Sequence, residues 1–372
     1  MSITEFENSL VELTFYRGRV ALHAVLKAFD IGSGDEVALQ AFTCIAVPEA
    51  IMAAGARPRY VDIEATGFNI DAANLRRKLT PRTRAIVVQH SYGIPADMDS
   101  ILRVAQEAGL PVIEDCCHTL ASTYKGETVG GFGVAGFYSY EWGKPIVAGI
   151  GGAAVVNDPG LRQRVHGAYE NYRIPGMTRL ARIQLQYYAF GLLYRPLLYW
   201  PVRSLFHRLG SLGMAESNYN PMDEGNIAED FSLRMAPPLQ RRLVHNLTKL
   251  DAQTRHSRWA AGEYRTRIES TAVTHPIPPE DSDTVFARYP LRATDKTGLL
   301  AAARRANVEL SEWYATPVHP LAGQELRLVH YEPGSCLNAE ARCSEVVALP
   351  THPAVSKRDV DRAIRFLNEA TR

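Results

Sequence analysis

Apolar residues in the first 160 positions follow two alternating rhythms. Short, nearly unbroken apolar runs at 36–39, 58–63, 83–90 and 112–115 have the pattern of strands buried on both faces. Between them, 20–29, 47–54 and 101–109 carry apolar side chains at helical spacing; in the first of these Ala21, Leu22, Val25, Leu26 and Phe29 share one face. Strands at 136–140 and 153–156 follow. Alternation of this kind predicts a three-layer α/β fold around a mostly parallel central sheet. Beyond residue 231 the pattern changes to one long helical segment (240–267), a strand (285–291), a helix (297–306), a strand (346–350) and a last helix (356–368). Ser356, with Asp359 three residues on, is the expected N-cap of that helix. The expected division is a large domain over 1–245, with an insertion at about 161–231, and a smaller α+β domain over 246–372.

Composition narrows the class. The 372 residues include 41 basic and 40 acidic side chains, so no overall field favours nucleic acid. Glu5, Glu7 and Asn8 occupy the stretch where a signal peptide needs a basic patch and an apolar core, which predicts a cytoplasmic protein. Five cysteines fit a reducing compartment. The adjacent pair Cys116-Cys117 and the separated Cys336 and Cys343 lack the spacing of a zinc site, so no metal is expected. The stretch 184–209 is dense in Tyr, Phe, Leu and Trp but is broken by Arg195, Pro196, Pro201 and Arg203, and its apolar runs fall short of a membrane span. Two readings stand for it: short helices that bury aromatics at a subunit interface, or an interfacial segment that docks on a membrane or a lipid-linked substrate.

Candidate chemistry gathers between 112 and 157. One buried strand ends in Glu114-Asp115, the next carries Ser139, and Lys144 follows before the turn Gly149-Ile150-Gly151-Gly152. Strand C-termini are where α/β sheets bind ligands. An amine, a carboxylate and a hydroxyl so placed are what pyridoxal 5'-phosphate (PLP) chemistry requires: Lys144 to bond the cofactor, Asp115 to keep its pyridine nitrogen protonated, Ser139 for its phosphate. A competing motif, Gly131-Phe132-Gly133-Val134-Ala135-Gly136, satisfies G-x-G-x-x-G. It lacks a preceding strand, a following helix and the later acid of a dinucleotide site, so the NAD-dependent reading is set aside.

Together with Gly34-Asp35-Glu36-Val37, Phe42-Thr43, Ala54-Gly55-Ala56-Arg57-Pro58, Val61-Asp62-Ile63, His90-Ser91-Tyr92-Gly93, Ile113-Glu114-Asp115, Tyr124-Lys125-Gly126 and Gly151-Gly152-Ala153, these residues make the chain resemble the DegT/DnrJ/EryC1/StrS family of PLP-dependent sugar aminotransferases. The likeness implies the type I PLP fold, and Lys144 and Asp115 as catalytic residues. It also implies His118 at the cofactor ring and Gly18, Arg19 and Val20 as a phosphate turn, in which Arg19 stands where the family has Thr. Cys44 takes the place of an aromatic residue that would stack on the ring, and Ser232 that of an Asn reaching the partner subunit's cofactor. The implied reaction converts a keto sugar, expected to be nucleotide-linked, to an amino sugar with glutamate as donor, in a homodimer with shared active sites. A cyclitol or lipid-linked acceptor, and a non-catalytic regulator on the same scaffold, are the alternatives.

Overall fold

The computed structural model describes residues 9–211 and 229–369; the leader reading at Met1 to Asn8 and part of the expected insertion lie outside them. In chain order the first part runs β1 (Thr14–Phe15), α1 (Gly18–Ala28), β2 (Glu36–Gln40), α2 (Ala46–Ala53), β3 (Arg57–Val61), α3 (Ala72–Lys78), β4 (Thr83–Gln89), α4 (Met98–Ala108), β5 (Val112–Asp115), β6 (Ala135–Ser139) and β7 (Gly152–Val156). These strands form one seven-stranded sheet in the order β1-β7-β6-β5-β4-β2-β3. Five are mutually parallel, while β7 runs antiparallel to β6 and to β1. Alternate residues of β4 explain the continuous apolar runs: Ala85 and Val87 face one hydrophobic cluster, Ile86 and Val88 the other. A sheet covered on both sides leaves no polar face to interrupt the pattern.

Two differences from the sequence reading have local causes. Helix α4 starts at Met98, earlier than the apolar spacing implies, because the Asp97 carboxylate accepts from Ser100 N–H at 3.2 Å and caps the first turn. The long segment at 240–267 is two helices. After α5 (Pro159–Tyr169), α6 (Met177–Leu193) and α7 (Tyr199–Ser211) come α8 (Pro237–Leu247) and α9 (Leu250–Arg267), which break at Thr248-Lys249. The break lets α8 hold the turn that carries Lys144: Arg242 Nη1 donates to Ala148 O at 3.0 Å and Asn246 Nδ2 to Val147 O at 2.8 Å. Helix α9 then leads to an antiparallel sheet of β8 (Val273–Thr274), β9 (Arg288–Ala293) and β10 (Val346–Pro350). Helices α10 (Lys296–Arg305), α11 (Leu337–Glu345) and α12 (Lys357–Glu369) accompany it. Ser356 and Asp359 cap α12 reciprocally, Asp359 N–H donating to Ser356 Oγ at 3.3 Å and Ser356 N–H to Asp359 Oδ2 at 2.9 Å. A short parallel pairing of Thr43–Cys44 with Val318–His319 ties this later part to the C-terminal side of β2.

Candidate functional site

A narrow cavity of about 60 Å³ lies at the C-terminal ends of β5 and β6, and its lining includes Gly18, Arg19, Cys44, Asp115, His118, Ser139 and Lys144. Seven sequence-derived candidates thus meet in one place. Val20 and Ser232 do not. Ser232 is half-buried; its hydroxyl donates to Glu229 O at 2.8 Å and accepts from Arg173 Nη2 at 3.1 Å.

Each side chain is set by its element. Asp115 ends β5 and is buried, with Oδ1 accepting from Cys117 N–H at 3.0 Å. Burial pushes its pKa up, and the Cys117 donors and the positive charge of Lys144 only partly offset this. A buried carboxylate in this condition is ready to take a cationic partner. Ser139 ends β6 beside the first turn of α1. That approach requires glycine at position 18: a Cβ there would sit 3.0 Å from Tyr138 O and 3.1 Å from Ser139 Cβ. At position 152 a Cβ would lie 2.4 Å from Gly18 N, so β7 also needs glycine there. Helix α1 has no side-chain cap and no acid in its first turn, and its first residue lies against Ser139. Such a corner suits a phosphate.

Lys144 sits in the turn between β6 and β7, its Nζ 4.8 Å from the centre of the Trp313 ring. His118 accepts Tyr92 N–H on Nδ1 at 3.2 Å, and its Nε2 meets Tyr314 Oη at 3.2 Å. With Nδ1 accepting, Nε2 carries the proton of a neutral ring. Burial, helped by Lys144, holds the pKa of His118 well below its usual value, which keeps the ring neutral. Both ring nitrogens are engaged by protein groups, and His118 packs against Trp313 at 4.6 Å between centroids.

The basic residues around α1 are neutralised by acids. Arg17 bonds Glu141 at 3.0 Å and Asp230 at 3.1 Å, and Arg19 pairs with Glu49 of α2. Burial raises Glu49 to about 7 despite Arg19 and Arg17, and Asp230 and Glu141 push the same way. The sequence reading did not find Arg17, Glu141, Trp142, Trp313 or Tyr314. Trp313 and Tyr314 come from a segment some two hundred residues away in the chain, with no motif to announce them.

The G-x-G-x-x-G stretch has another use. Gly130, Phe132 and Gly133 N–H donate to the Glu114 carboxylate at 2.7, 2.8 and 2.7 Å. The glycine loop therefore wraps an internal carboxylate and leads into β6, with no helix after it. His90, Glu114 and Cys116 converge closely enough to suggest a metal, but those amides and His90 Nε2 at 3.1 Å already occupy Glu114.

An amine, a buried carboxylate and an uncapped helix N-terminus thus line one cavity at the C-terminal edge of a mostly parallel sheet, the edge at which α/β proteins bind ligands. The profile of the DegT/DnrJ/EryC1/StrS aminotransferase family matches residues 3–195 and 224–368, and the chain belongs to that family. Among relatives, a pleiotropic regulatory protein of Geobacillus stearothermophilus is 29% identical, over 95% of this chain and 82% of its own length. A UDP-N-acetyl-3-dehydro-alpha-D-glucosamine 3-aminotransferase of Acidithiobacillus ferrooxidans is 40% identical, over 42% of this chain and 44% of its own. The crystal structure of S. venezuelae DesV superposes with a TM-score of 0.76 at 23% identity, covering 99% of this chain and 87% of that one. The PLP form of a sugar aminotransferase of Streptococcus pneumoniae, Spr1654, gives 0.74 at 18%, covering 96% and 86%. These two likenesses establish the fold.

Proposed function

We propose that this chain is a PLP-dependent aminotransferase that converts the keto group of a sugar, nucleotide-linked as in several relatives, to an amine, with glutamate as donor. The observation that carries the reading is the convergence of Lys144, Asp115, Ser139 and the α1 N-terminus on one cavity. The donor set fits the cofactor: a buried carboxylate with raised pKa for a pyridinium, a hydroxyl and helix end for a phosphate, and a lysine between them. When bound, the cofactor supplies an electron sink for the carbon that loses its proton. Asp115 would hold a proton on the ring nitrogen, Ser139 Oγ and the amides of Gly18 and Arg19 would hold the phosphate, and Lys144 Nζ would anchor the cofactor and serve as the group that carries the proton. Trp313 covers Lys144 on one side and helps exclude water. His118 acts at one remove, fixing Tyr314. Because Ser232 and Arg234 stand apart from this cavity, we propose that they complete the site of a partner subunit in a homodimer.

The test is Lys144→Ala. Wild type should show the visible absorbance of a lysine-bound cofactor and amino transfer from glutamate; the variant should lose both and keep its fold by circular dichroism. A variant that still turns over at the wild-type rate would sink the assignment. The regulator reading, prompted by the Geobacillus relative, predicts bound cofactor without turnover in the wild type.

A further inference from the structure

Helices α6 and α7 are apolar on two faces. The inner face is fastened to the chain's own cleft. Phe190 packs on Trp142 at 4.9 Å and stacks on Tyr194 at 4.4 Å. Tyr194 Oη donates to Glu309 at 3.1 Å, Trp200 Nε1 to Val308 O at 2.9 Å, and Asn307 Nδ2 to Leu197 O at 2.8 Å. Helix α6, with Tyr194 and Arg195 after it, thereby walls a cavity of about 310 Å³ that reaches Lys144.

The outer face covers nothing among the described residues. Met177 is 81% exposed, Leu185 73%, Tyr188 67% and Leu192 74%. The last three lie at i, i+3 and i+7, one side of one helix, and the apolar surface continues through Leu197, Leu198 and Leu205. An amphipathic surface helix exposes polar residues on this side. A row of exposed leucines with a wall of aromatics behind it marks a surface that meets an apolar phase.

Charge selects the phase. The stretch 177–211 contains Arg179, Arg182, Arg195, Arg203 and Arg208 and no Asp or Glu. Arg179 and Arg203 turn inward to Asp230 at 2.7 Å and Glu312 at 2.8 Å. Arg195 is exposed, as are Arg241, His245 and Lys249, which border the groove beside Tyr188. A two-fold contact of this stretch with its own counterpart would bring basic residues to basic residues, with no acid of the same stretch to meet them. An anionic bilayer offers hydrocarbon to the leucines and phosphates to the arginines in the same plane.

We propose that the α6–α7 hairpin seats this protein on an anionic membrane surface, with the leucine face at the level of the acyl chains and the arginines among the headgroups. Among the described residues no helix is long and apolar enough to cross a membrane, and the hairpin lies in the interface. The inner wall of the same hairpin lines the cleft, so docking brings the cleft mouth to the lipid surface. The inference is independent of the proposed chemistry, because it concerns the outer face of the hairpin.

Flotation of the full chain with vesicles tests it. The wild type should rise with phosphatidylcholine mixed with phosphatidylglycerol, rise far less with phosphatidylcholine alone, and detach as salt increases. Leu185→Glu with Leu192→Glu should stay at the bottom of the gradient while keeping the wild-type mass by light scattering and the wild-type cofactor absorbance. Should that variant misfold, Arg195→Gln with Arg241→Gln carries the test: its partition onto the mixed vesicles should weaken by on the order of tenfold or more. Wild type that stays down with both vesicle types would overturn the proposal. So would a leucine double variant that splits a wild-type dimer into monomers, since the face would then belong to a second copy of the chain.

Discussion

Two buried carboxylates close to the same cleft are built in opposite ways. Asp115 has Cys117 N–H and a distant share of Lys144, and burial raises its pKa. Glu309 accepts from Tyr194 Oη at 3.1 Å and is gripped by His352 at 3.3 Å and Arg288 at 3.1 Å, and these last two hold its pKa down at about 2 in spite of burial. Arg288 in turn donates to Tyr194 Oη at 2.7 Å. A carboxylate whose protein partners are complete is structural; one left short of positive charge, at a strand end beside an anion-binding helix, has room for a ligand's charge. Burial alone does not separate the two, but the direction in which each pKa moves does.

Removing each charge should therefore have different consequences. Asp115→Asn should leave the melting temperature within a degree or so of wild type, because no strong ion pair is lost, and should retain the cofactor by absorbance. Its turnover should fall by roughly 10²–10³-fold or more, the scale on which removal of a preorganised charge acts. Equal rates would make Asp115 structural and collapse the contrast. Glu309→Gln should show the inverse: folded protein with cofactor bound, but destabilised by about 3–5 kcal/mol in a denaturant titration, since Arg288 is left buried without its anion. In wild type the contribution of Glu309 should be present at neutral pH and fade as pH falls from its unfolded value of 4.5 through about 2, because its folded pKa is depressed.

Only the Asp115 side of this contrast is legible in the sequence, and the Glu309 side is hidden for physical reasons. Parallel strands covered on both faces leave unbroken apolar runs, so the sheet could be read, and strand ends bind ligands, so Asp115, Ser139 and Lys144 could be read from neighbouring segments of one stretch. Glu309, Arg288, Tyr194 and His352 come from four separate segments and meet only through the packing of α6 on the later part of the chain. The break at Thr248-Lys249 was hidden because both helices keep the same apolar spacing. A balance of 41 basic and 40 acidic side chains concealed the acid-free stretch at 177–211, because a whole-chain sum averages away a local field. The resemblance places Arg19 in the phosphate turn where the family has Thr, and nothing in the sequence announces its pairing with Glu49, a residue of the next helix.

That pairing supplies the third and smallest test. Glu49 stands between the two types: it has a cationic partner in Arg19, yet Oε1 is buried without a hydrogen bond and burial, with Asp230 and Glu141 adding to it, raises the carboxyl to about 7. Its folded pKa thus exceeds the ordinary value of 4.5. The native state then binds more protons than the unfolded chain across that interval, so the stabilisation is complete below pH 4.5 and is lost as pH rises through about 7. The loss should amount to at most about 3.5 kcal/mol, since a tenfold change in proton affinity between the folded and unfolded states is worth about 1.4 kcal/mol. Glu49→Gln fixes the neutral form, so the difference in unfolding free energy between variant and wild type should grow in favour of the variant from pH 5 to pH 8, while Glu309→Gln, which removes a group titrating at about 2, leaves that interval's slope unchanged. Parallel pH profiles for wild type and Glu49→Gln would mean that Arg19 keeps Glu49 ionised throughout, and would place it with Glu309 as a carboxylate whose protein partners are complete.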